Sequence, residues 1–172
     1  MGIEIRDHIT EDREAVVALS LRAWEPVHAS IARVLGPKIY ARVVGDWSRA
    51  QSRDVRAALD SEEMRTRVAV TDRIAGFSTV RLDRKEGIGV LHMLAVDPEW
   101  QGRGVGRELV AEAERFMREE DMKVALVETG GDPGHAPARA VYEEADYTGM
   151  PVVHYYKALR AGRGHEEGRS PR

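Results

Sequence analysis

The chain has 172 residues, with 26 Lys plus Arg against 29 Asp plus Glu and a net charge of −3. This length allows one domain with its own core, and the nearly balanced charge argues against a nucleic-acid partner, which would require a basic face. The chain has no cysteine, which excludes disulfides and an acyl-cysteine intermediate and fits a cytoplasmic location. No stretch approaches the ~20 apolar residues of a membrane span, and the N-terminus lacks the apolar run of a secretory signal.

The N-terminal third is predicted to be one short strand followed by helices. Ile3 and Ile5 alternate with polar neighbours, as in a strand. Thr10 is a candidate N-cap for a helix that Pro26 is expected to end. A second helical region is predicted within residues 39–59, where apolar residues recur at helical spacing.

The middle of the chain changes to the period of strands. Strands are predicted at residues 67–71, 74–82 and 90–96, with a turn at Asp72-Arg73 between the first two. The third strand should end at Asp97-Pro98, because proline cannot donate a ladder hydrogen bond.

The C-terminal half alternates between helix and strand. We predict a helix beginning at Val105, a strand at 123–128, a loop at 129–137 and a helix at 138–145. A final pair of strands is predicted near Tyr147 and at residues 152–159.

This order of elements predicts an α+β fold, with a mixed, mostly antiparallel sheet and helices on both faces. Residues 1–160 are expected to form a single domain. Residues 161–172 lack apolar periodicity and are predicted to be a mobile tail.

The segment at residues 90–107, VLHMLAVDPEWQGRGVGR, carries the clearest chemical signal. A strand leads into a glycine-rich turn, and the turn opens a helix. Glycines allow close backbone approach, and the first N–H groups of a helix attract anions. Arg103 and Arg107 add full positive charges, so a diphosphate would suit this turn.

The turn does not match the two common nucleotide motifs. It lacks G-x-x-x-x-G-K-[ST], and the pattern G-x-G-x-x-G would need glycine where Arg107 stands. The glycines alone would fit a packing role as well as a ligand site.

The neighbouring residues resolve the ambiguity. The run from Gln101 to Gly106, QGRGVG, matches the Q/R-x-x-G-x-G/A signature of the Gcn5-related N-acetyltransferase (GNAT) family. LAVDPEW resembles the fourth strand of that family, and ARAVYEEADY resembles its later A-x-x-x-Y-E-K-x-G-F helix. The resemblance covers most of residues 67–159. It implies an acyl-CoA N-acyltransferase fold with a central splay between the fourth and fifth strands.

The resemblance also implies the function and the cofactor site. The expected reaction moves an acetyl group from acetyl-CoA to a primary amine, by direct attack with both substrates bound. The acceptor would be a small-molecule or peptide amine, and a homodimer is one possible assembly. Carried over from the family, the positions that would bind the cofactor are Leu94, Ala95, Val96, Gln101, Gly102, Arg103, Gly104, Val105, Gly106, Arg107, His135 and Ala138.

Three residues are candidates for catalysis. Tyr142 matches the family tyrosine that often protonates the departing sulfur, although it could instead be a packing residue. His92 precedes Leu94 by two residues and should share its face of the strand, and Glu128 ends the fifth strand. Either could be the general base, or water could serve instead, and no metal is expected.

Two residues depart from the family pattern. His135 stands where many relatives have Asn, so it could contact the cofactor arm or act in catalysis, and Asp146 replaces a usual Gly. A non-catalytic acyl-CoA-binding sensor on the same fold remains the alternative function, and the sequence does not name the acceptor.

Overall fold

One five-stranded sheet runs in chain order through the computed structural model, which describes residues 2–159. Its strands are β1 (Glu4–Asp7), β2 (Met64–Val70), β3 (Ile74–Asp83), β4 (Ile88–Val96) and β5 (Val124–Val127). The first four pair antiparallel, and β5 lies parallel to β4. The predicted mixed, mostly antiparallel sheet is therefore confirmed.

Within residues 2–159, four helices cover the two faces of this sheet: α1 (Arg13–Val43), α2 (Trp47–Asp60), α3 (Val105–Glu119) and α4 (Ala136–Glu144). Short 3-10 turns lie at Thr10–Asp12, Pro98–Trp100 and Pro133–His135. Among residues 2–159, no helix is both long enough and apolar enough to cross a lipid bilayer.

The core divides into two layers, one on each side of β3. On one side α1 and α2 bury Leu19 and Val55 against Phe77. On the other side α3 buries Val110 against Val80 and Leu91. Burying each such side chain contributes about 1.5–3 kcal/mol. These two layers confirm that the helices pack on both faces.

The start and the end of α1 differ from the sequence prediction. Thr10 does not cap the helix. The carboxylate of Asp12 accepts a hydrogen bond from the N–H of Ile9 at 3.0 Å and pairs with Arg6, and these contacts stabilise the turn that leads into α1. The helix also continues through Pro26, and its first break comes at Gly36, with φ 71°. One proline removes one helical hydrogen bond, and we attribute the continuation to the packing of this helix on the sheet.

The predicted final pair of strands is absent from the described residues. Residues 148–159 belong to no strand and are all exposed, so β5 is an edge of the sheet. The prediction failed because alternating apolar residues indicate a strand without specifying a partner for it. The predicted tail at 161–172 lies outside the described residues.

The separation of β4 from β5 determines where the site forms. The two strands pair only from Ile88↔Val124 to Leu91↔Val127, and β4 continues to Val96 paired with β3 but without a partner on the β5 side. On its other side β4 has a bulge at His92, because Thr79 pairs with Met93 and Val80 with Leu91. Beyond Leu91, β4 and β5 are no longer paired, and the gap between them is the splay that the family resemblance implied.

Candidate active site

The glycine turn and the start of α3 form an anion-binding surface. Gly102 and Gly104 have φ of 71° and 87°, in the left-handed region that favours glycine. Gly104 is the N-cap of α3 and provides no side-chain cap. Within the described residues, the N–H groups of Val105, Gly106 and Arg107 have no acceptor. These N–H groups and the helix dipole favour a bound phosphate.

The turn also leaves room for a ligand. A Cβ placed on Gly102 or Gly104 would meet nothing within 4 Å, whereas one on Gly106 would lie 3.5 Å from Val141 and 3.6 Å from Val96. The open space lies at the two left-handed glycines, so a diphosphate could approach the backbone there. The residues present therefore fit the pyrophosphate of coenzyme A.

The polar side chains around the turn are held in three different ways. The guanidinium of Arg103 stacks 4.9 Å from the ring centroid of Trp100 and is exposed. Arg107 donates to Glu144 at 2.9 Å, so part of its charge is neutralised. Gln101 donates through Nε2 to the Val96 carbonyl at 3.2 Å, which ties the turn to the end of β4.

The backbone of β4 next to the splay can pair with an extended ligand. The N–H of Asp97 donates to Ala75 on β3 at 2.9 Å. Because successive residues of a strand direct their backbone groups to opposite sides, those of Val96 and Leu94 face the splay and those of Ala95 face β3. Leu94 and Val96 are thus better placed to pair with a cofactor arm than Ala95.

A cleft of about 530 Å³ joins the turn to the splay. It brings together nearly all the side chains and backbone positions that the sequence singled out. Its lining includes His92, Leu94, Ala95, Val96, Gln101, Gly102, Gly104, Gly106, Arg107, Glu128, His135, Ala138 and Tyr142. Two expected cofactor residues lie outside this lining: Val105 is buried in the core under α3, and Arg103 is on the exposed rim.

Tyr142 lies where α4 meets the cleft and is only 8% exposed. Its ring lies 5.9 Å from that of Tyr147, between centroids. Burial, with a smaller effect from Tyr147, raises the pKa of Tyr142 to about 12. The phenol therefore keeps its proton throughout the neutral range and can act as a donor.

His92 and Glu128 are exposed on the two sides of the splay. Neither side chain forms a hydrogen bond or an ion pair with any residue between 2 and 159. The prediction that His92 shares a face with Leu94 assumed regular alternation, and the bulge at His92 interrupts it. Nothing in this part of the chain fixes the orientation of either side chain.

The structure reveals a polar cluster that the sequence analysis missed. The Nδ1–H of His135 donates to the carboxylate of Asp132, and the N–H of Gly134 donates to Asp132 at 3.0 Å and to the Ser30 hydroxyl at 2.9 Å. Burial opposes ionisation of Asp132, but hydrogen bonds from Ser30 and His135 outweigh it and lower the pKa of the carboxyl. Asp132 is therefore ionised, and His135 has its Nε2 lone pair free to accept a proton.

The loop around this cluster is tied down by Arg139, which donates to the carbonyls of Gly130 at 2.6 Å and Asp132 at 2.9 Å. The only sequence signal for the Asp132–His135 pair was its three-residue spacing. That spacing brings the two side chains into contact only when the loop forms a turn, as it does at Pro133–His135.

The wall opposite the glycine turn comes from α1, through Ala23, Trp24 and Val27. Behind it, His28 stacks on Trp47 with ring centroids 4.4 Å apart. Burial lowers the pKa of His28, and His135 nearby lowers it further whenever its imidazole is protonated. This wall is aromatic and mostly apolar, which suits the carbon frame of an acceptor.

A second cavity, of about 620 Å³, lies away from the glycine turn. Its lining is largely charged and includes Arg65, Arg81 and Arg84 beside Glu62 and Glu63. It contains none of the motif residues, so the cleft beside the turn is the candidate active site.

Comparisons with known proteins agree with this geometry. The family model of the acetyltransferase (GNAT) family matches residues 31–147. A mycothiol acetyltransferase of Saccharomonospora viridis is 25% identical in an alignment 163 residues long that covers 85% of this chain and 46% of that protein. One from Pseudarthrobacter chlorophenolicus is 22% identical over 94% of this chain and 47% of its own length. The chain thus spans about half the length of these curated relatives.

Solved structures share the fold. The aminoglycoside N-acetyltransferase AAC(6')-Iy, in complex with CoA, has a TM-score of 0.63 and 19% identity, covering 91% of this chain and 95% of that one. The PaiA N-acetyltransferase from Thermoplasma acidophilum, in complex with coenzyme A, has a TM-score of 0.62 and 17% identity, covering 84% and 89%. These likenesses establish the fold alone. Because the family match spans more than half of the sequence, the chain belongs to the acetyltransferase (GNAT) family.

Proposed function

We propose that this chain is an N-acetyltransferase that transfers an acetyl group from acetyl-CoA to a primary amine, by direct attack in a ternary complex. The observation that carries the proposal is the position of the open N-terminus of α3, which borders the same cleft as the splay and Tyr142. A pyrophosphate on the turn would let the rest of the cofactor run along Leu94 and Val96 toward the phenol.

In this proposal acetyl-CoA supplies the acyl group as an activated thioester. His135 accepts through Nε2 the proton that the amine releases as its nitrogen bonds to the carbonyl carbon. Tyr142 donates its phenolic proton to the sulfur as the C–S bond breaks. The products are the amide and free coenzyme A, and solvent carries the proton from His135 back to the Tyr142 phenolate.

We assign the base to His135 rather than to His92 or Glu128 because, within residues 2–159, His135 alone of the three has a side-chain partner that orients it. The ionised carboxylate of Asp132 holds Nδ1–H and stabilises the imidazolium that forms. His92 and Glu128 would then contact the acceptor. The proposal moves His135 from the cofactor arm, where the family pattern would place it, to the reacting amine.

The acceptor is proposed to be a small-molecule amine. The names of related proteins point to such acceptors, since they include aminoglycoside and mycothiol acetyltransferases. The apolar wall of Trp24 and Val27 gives the acceptor a surface to pack on. The proposed chemistry invokes no metal, and a cytoplasmic location, supported by the lack of cysteine, is part of the proposal.

The experiment is release of free thiol from acetyl-CoA across a panel of amines, with calorimetry of coenzyme A binding alongside. We expect binding and amine-dependent thiol release. No binding at millimolar coenzyme A would overturn the proposal. Binding without turnover on any amine would favour a non-catalytic acyl-CoA sensor.

A further inference from the structure

We propose that Ser30, on α1, is a positioning residue that holds the Asp132–His135 pair against the helix and so sets where the base lies in the cleft. This inference rests on the proposed function, in which His135 accepts the proton of the amine. Ser30 is not among the residues that line the cleft, so its part in the reaction passes through His135.

The hydroxyl of Ser30 is buried, and its oxygen and its proton both have partners. Ser30 is 1% exposed. Its oxygen accepts the N–H of Gly134 at 2.9 Å, and its proton goes to the carboxylate of Asp132. A buried hydroxyl is costly unless it is hydrogen-bonded, and these partners offset that cost. The hydroxyl therefore joins the backbone of the loop to the carboxylate that holds His135.

A second buried serine on α1 behaves differently. Ser20 is 0% exposed, and its hydroxyl donates to the carbonyl of Val17 on the same helix at 2.7 Å. Serines inside helices commonly bond back to their own helix in this way. Ser30 instead contacts a loop that is 104 residues away along the chain. Its hydrogen bonds are tertiary contacts that connect α1 to the loop.

The loop approaches α1 so closely at this point that glycine is needed. A Cβ placed on Gly134 would lie 2.6 Å from the Cβ of Ser30 and 3.0 Å from the Cα of Val27. Val27 belongs to the wall that α1 contributes to the cleft. The close contact therefore fixes the loop and this wall relative to each other.

The carboxylate of Asp132 transmits this contact to the base. The N–H of Gly134 donates to Oδ2 at 3.0 Å, which leaves Oδ1 for the Nδ1–H of His135. Because the carboxylate is planar and held at Oδ2, the position of Oδ1 is set, and the imidazole takes its orientation from it. Nε2 then has one position relative to the wall, and a displacement of about 1 Å in such a group can cost on the order of 10²-fold in rate.

The first test compares two alanine substitutions on one helix. Ser30→Ala removes the contact with the loop, whereas Ser20→Ala removes an equally buried hydroxyl that bonds only within α1. We expect Ser30→Ala to lower kcat by about tenfold with both substrates saturating, and Ser20→Ala to leave kcat unchanged. The Kd for coenzyme A should stay that of wild type in both variants, which also shows that they are folded.

The second test disturbs the same contact from the side of the loop. Gly134→Ala should displace the loop from α1 while Ser30 is still present, and should lower kcat to a similar extent. Gly131→Ala is the matched control, because a Cβ at Gly131 would meet nothing within 4 Å. It should keep the kcat of wild type.

Nitrogen NMR of the histidine rings gives a measurement that needs no turnover. The signals of His135 are identified by their loss in His135→Gln. Under alkaline conditions, where the ring is neutral, we expect the Nδ1–H tautomer of His135 in wild type and in both controls. Ser30→Ala and Gly134→Ala should add a share of the Nε2–H tautomer.

Two results would overturn the proposal: equal kcat in Ser30→Ala and Ser20→Ala, or an unchanged tautomer of His135 in Ser30→Ala. Failure of the proposed function has a different signature, since wild type would then release no thiol with any amine. The NMR comparison would still decide whether Ser30 orients His135.

Discussion

Tyr142 combines burial with access to the cleft, which makes its hydroxyl the sharpest single-atom test of the mechanism. Tyr142→Phe keeps the ring that packs on Tyr147 and removes only the proton donor. We expect kcat to fall by roughly 10²- to 10⁴-fold, with little change in acetyl-CoA affinity. The measurement is kcat across pH with acetyl-CoA saturating, and a rate within about twofold of wild type would remove Tyr142 from the mechanism.

His135 should behave as a base whose orientation depends on Asp132. We expect His135→Gln to lower kcat by roughly 10²-fold or more, because the amide cannot accept the proton of the attacking amine. Asp132→Asn should lower kcat less, since the amide stabilises the imidazolium poorly. Steady-state kinetics with both substrates saturating measure the two effects.

His92→Gln and Glu128→Gln are the matched controls, since both side chains line the same cleft. They should alter KM for the amine and leave kcat nearly unchanged. If His92→Gln lowers kcat by the amount expected of His135→Gln and His135→Gln does not, the base is His92.

Candidate site residues could be picked out from sequence only where a motif marked them. Tyr142 and the glycine turn were picked out because the spacing of their motifs is local, and both line one cleft. The Asp132–His135 pair was not, since it needs the 3-10 turn and the contact of Ser30 on α1 with a loop more than a hundred residues away. For the same reason the general base was left open between His92, Glu128 and water, and His135 was given either a cofactor contact or a part in catalysis.

At the scale of elements, we expect the N-terminus of α3 to tolerate the backbone strain of a side chain at Gly104 but to lose ligand affinity when that side chain fills the binding site. Gly104→Leu should weaken coenzyme A binding by at least about tenfold, because its side chain would enter the space that the ligand needs. Calorimetry with coenzyme A measures the effect.

Gly36 provides the matched control, because it also has a positive φ and open space around it but lies in α1. Gly36→Leu should lower the free energy of unfolding about as much as Gly104→Leu does, by roughly 1 kcal/mol or more. It should nevertheless bind coenzyme A like wild type. Equal binding by both variants would show that the turn is not the site.

The elements themselves were largely predictable because their signals are local. Strands β2 to β4 and helix α3 follow directly from apolar periodicity. Pro26 misled the prediction because burial on the sheet outweighs one lost hydrogen bond in α1. The prediction of two final strands failed for a different reason. Strand pairing depends on an available sheet edge, and a local sequence pattern does not show whether such an edge exists.

At the scale of the whole molecule, two buried phenols should limit stability in alkali. Burial raises the pKa of both Tyr142 and Tyr147 to about 12 from 10.0. Between these values the folded chain holds protons that the unfolded chain releases, so stability falls as pH rises from about 10 to 12. Chemical unfolding across that range should show the loss.

Replacing both buried phenols, with Tyr142→Phe and Tyr147→Phe, should flatten this dependence by on the order of 2–3 kcal/mol per group at most. Tyr155→Phe is the control, because Tyr155 is almost fully exposed. An unchanged slope in the double variant would mean that other groups dominate alkaline unfolding.

The last residues of the chain should be dispensable for both folding and cofactor binding. Residues 161–172 contain three glycines, Gly162, Gly164 and Gly168, and no apolar stripe that could be buried. Truncation after Arg160 should therefore change Tm by less than about 3 °C, which corresponds to roughly 1 kcal/mol at this size, and leave coenzyme A affinity unchanged. Calorimetric melting and coenzyme A titration of the truncated chain test this prediction, and a large drop in Tm would show that the last residues contribute to folding.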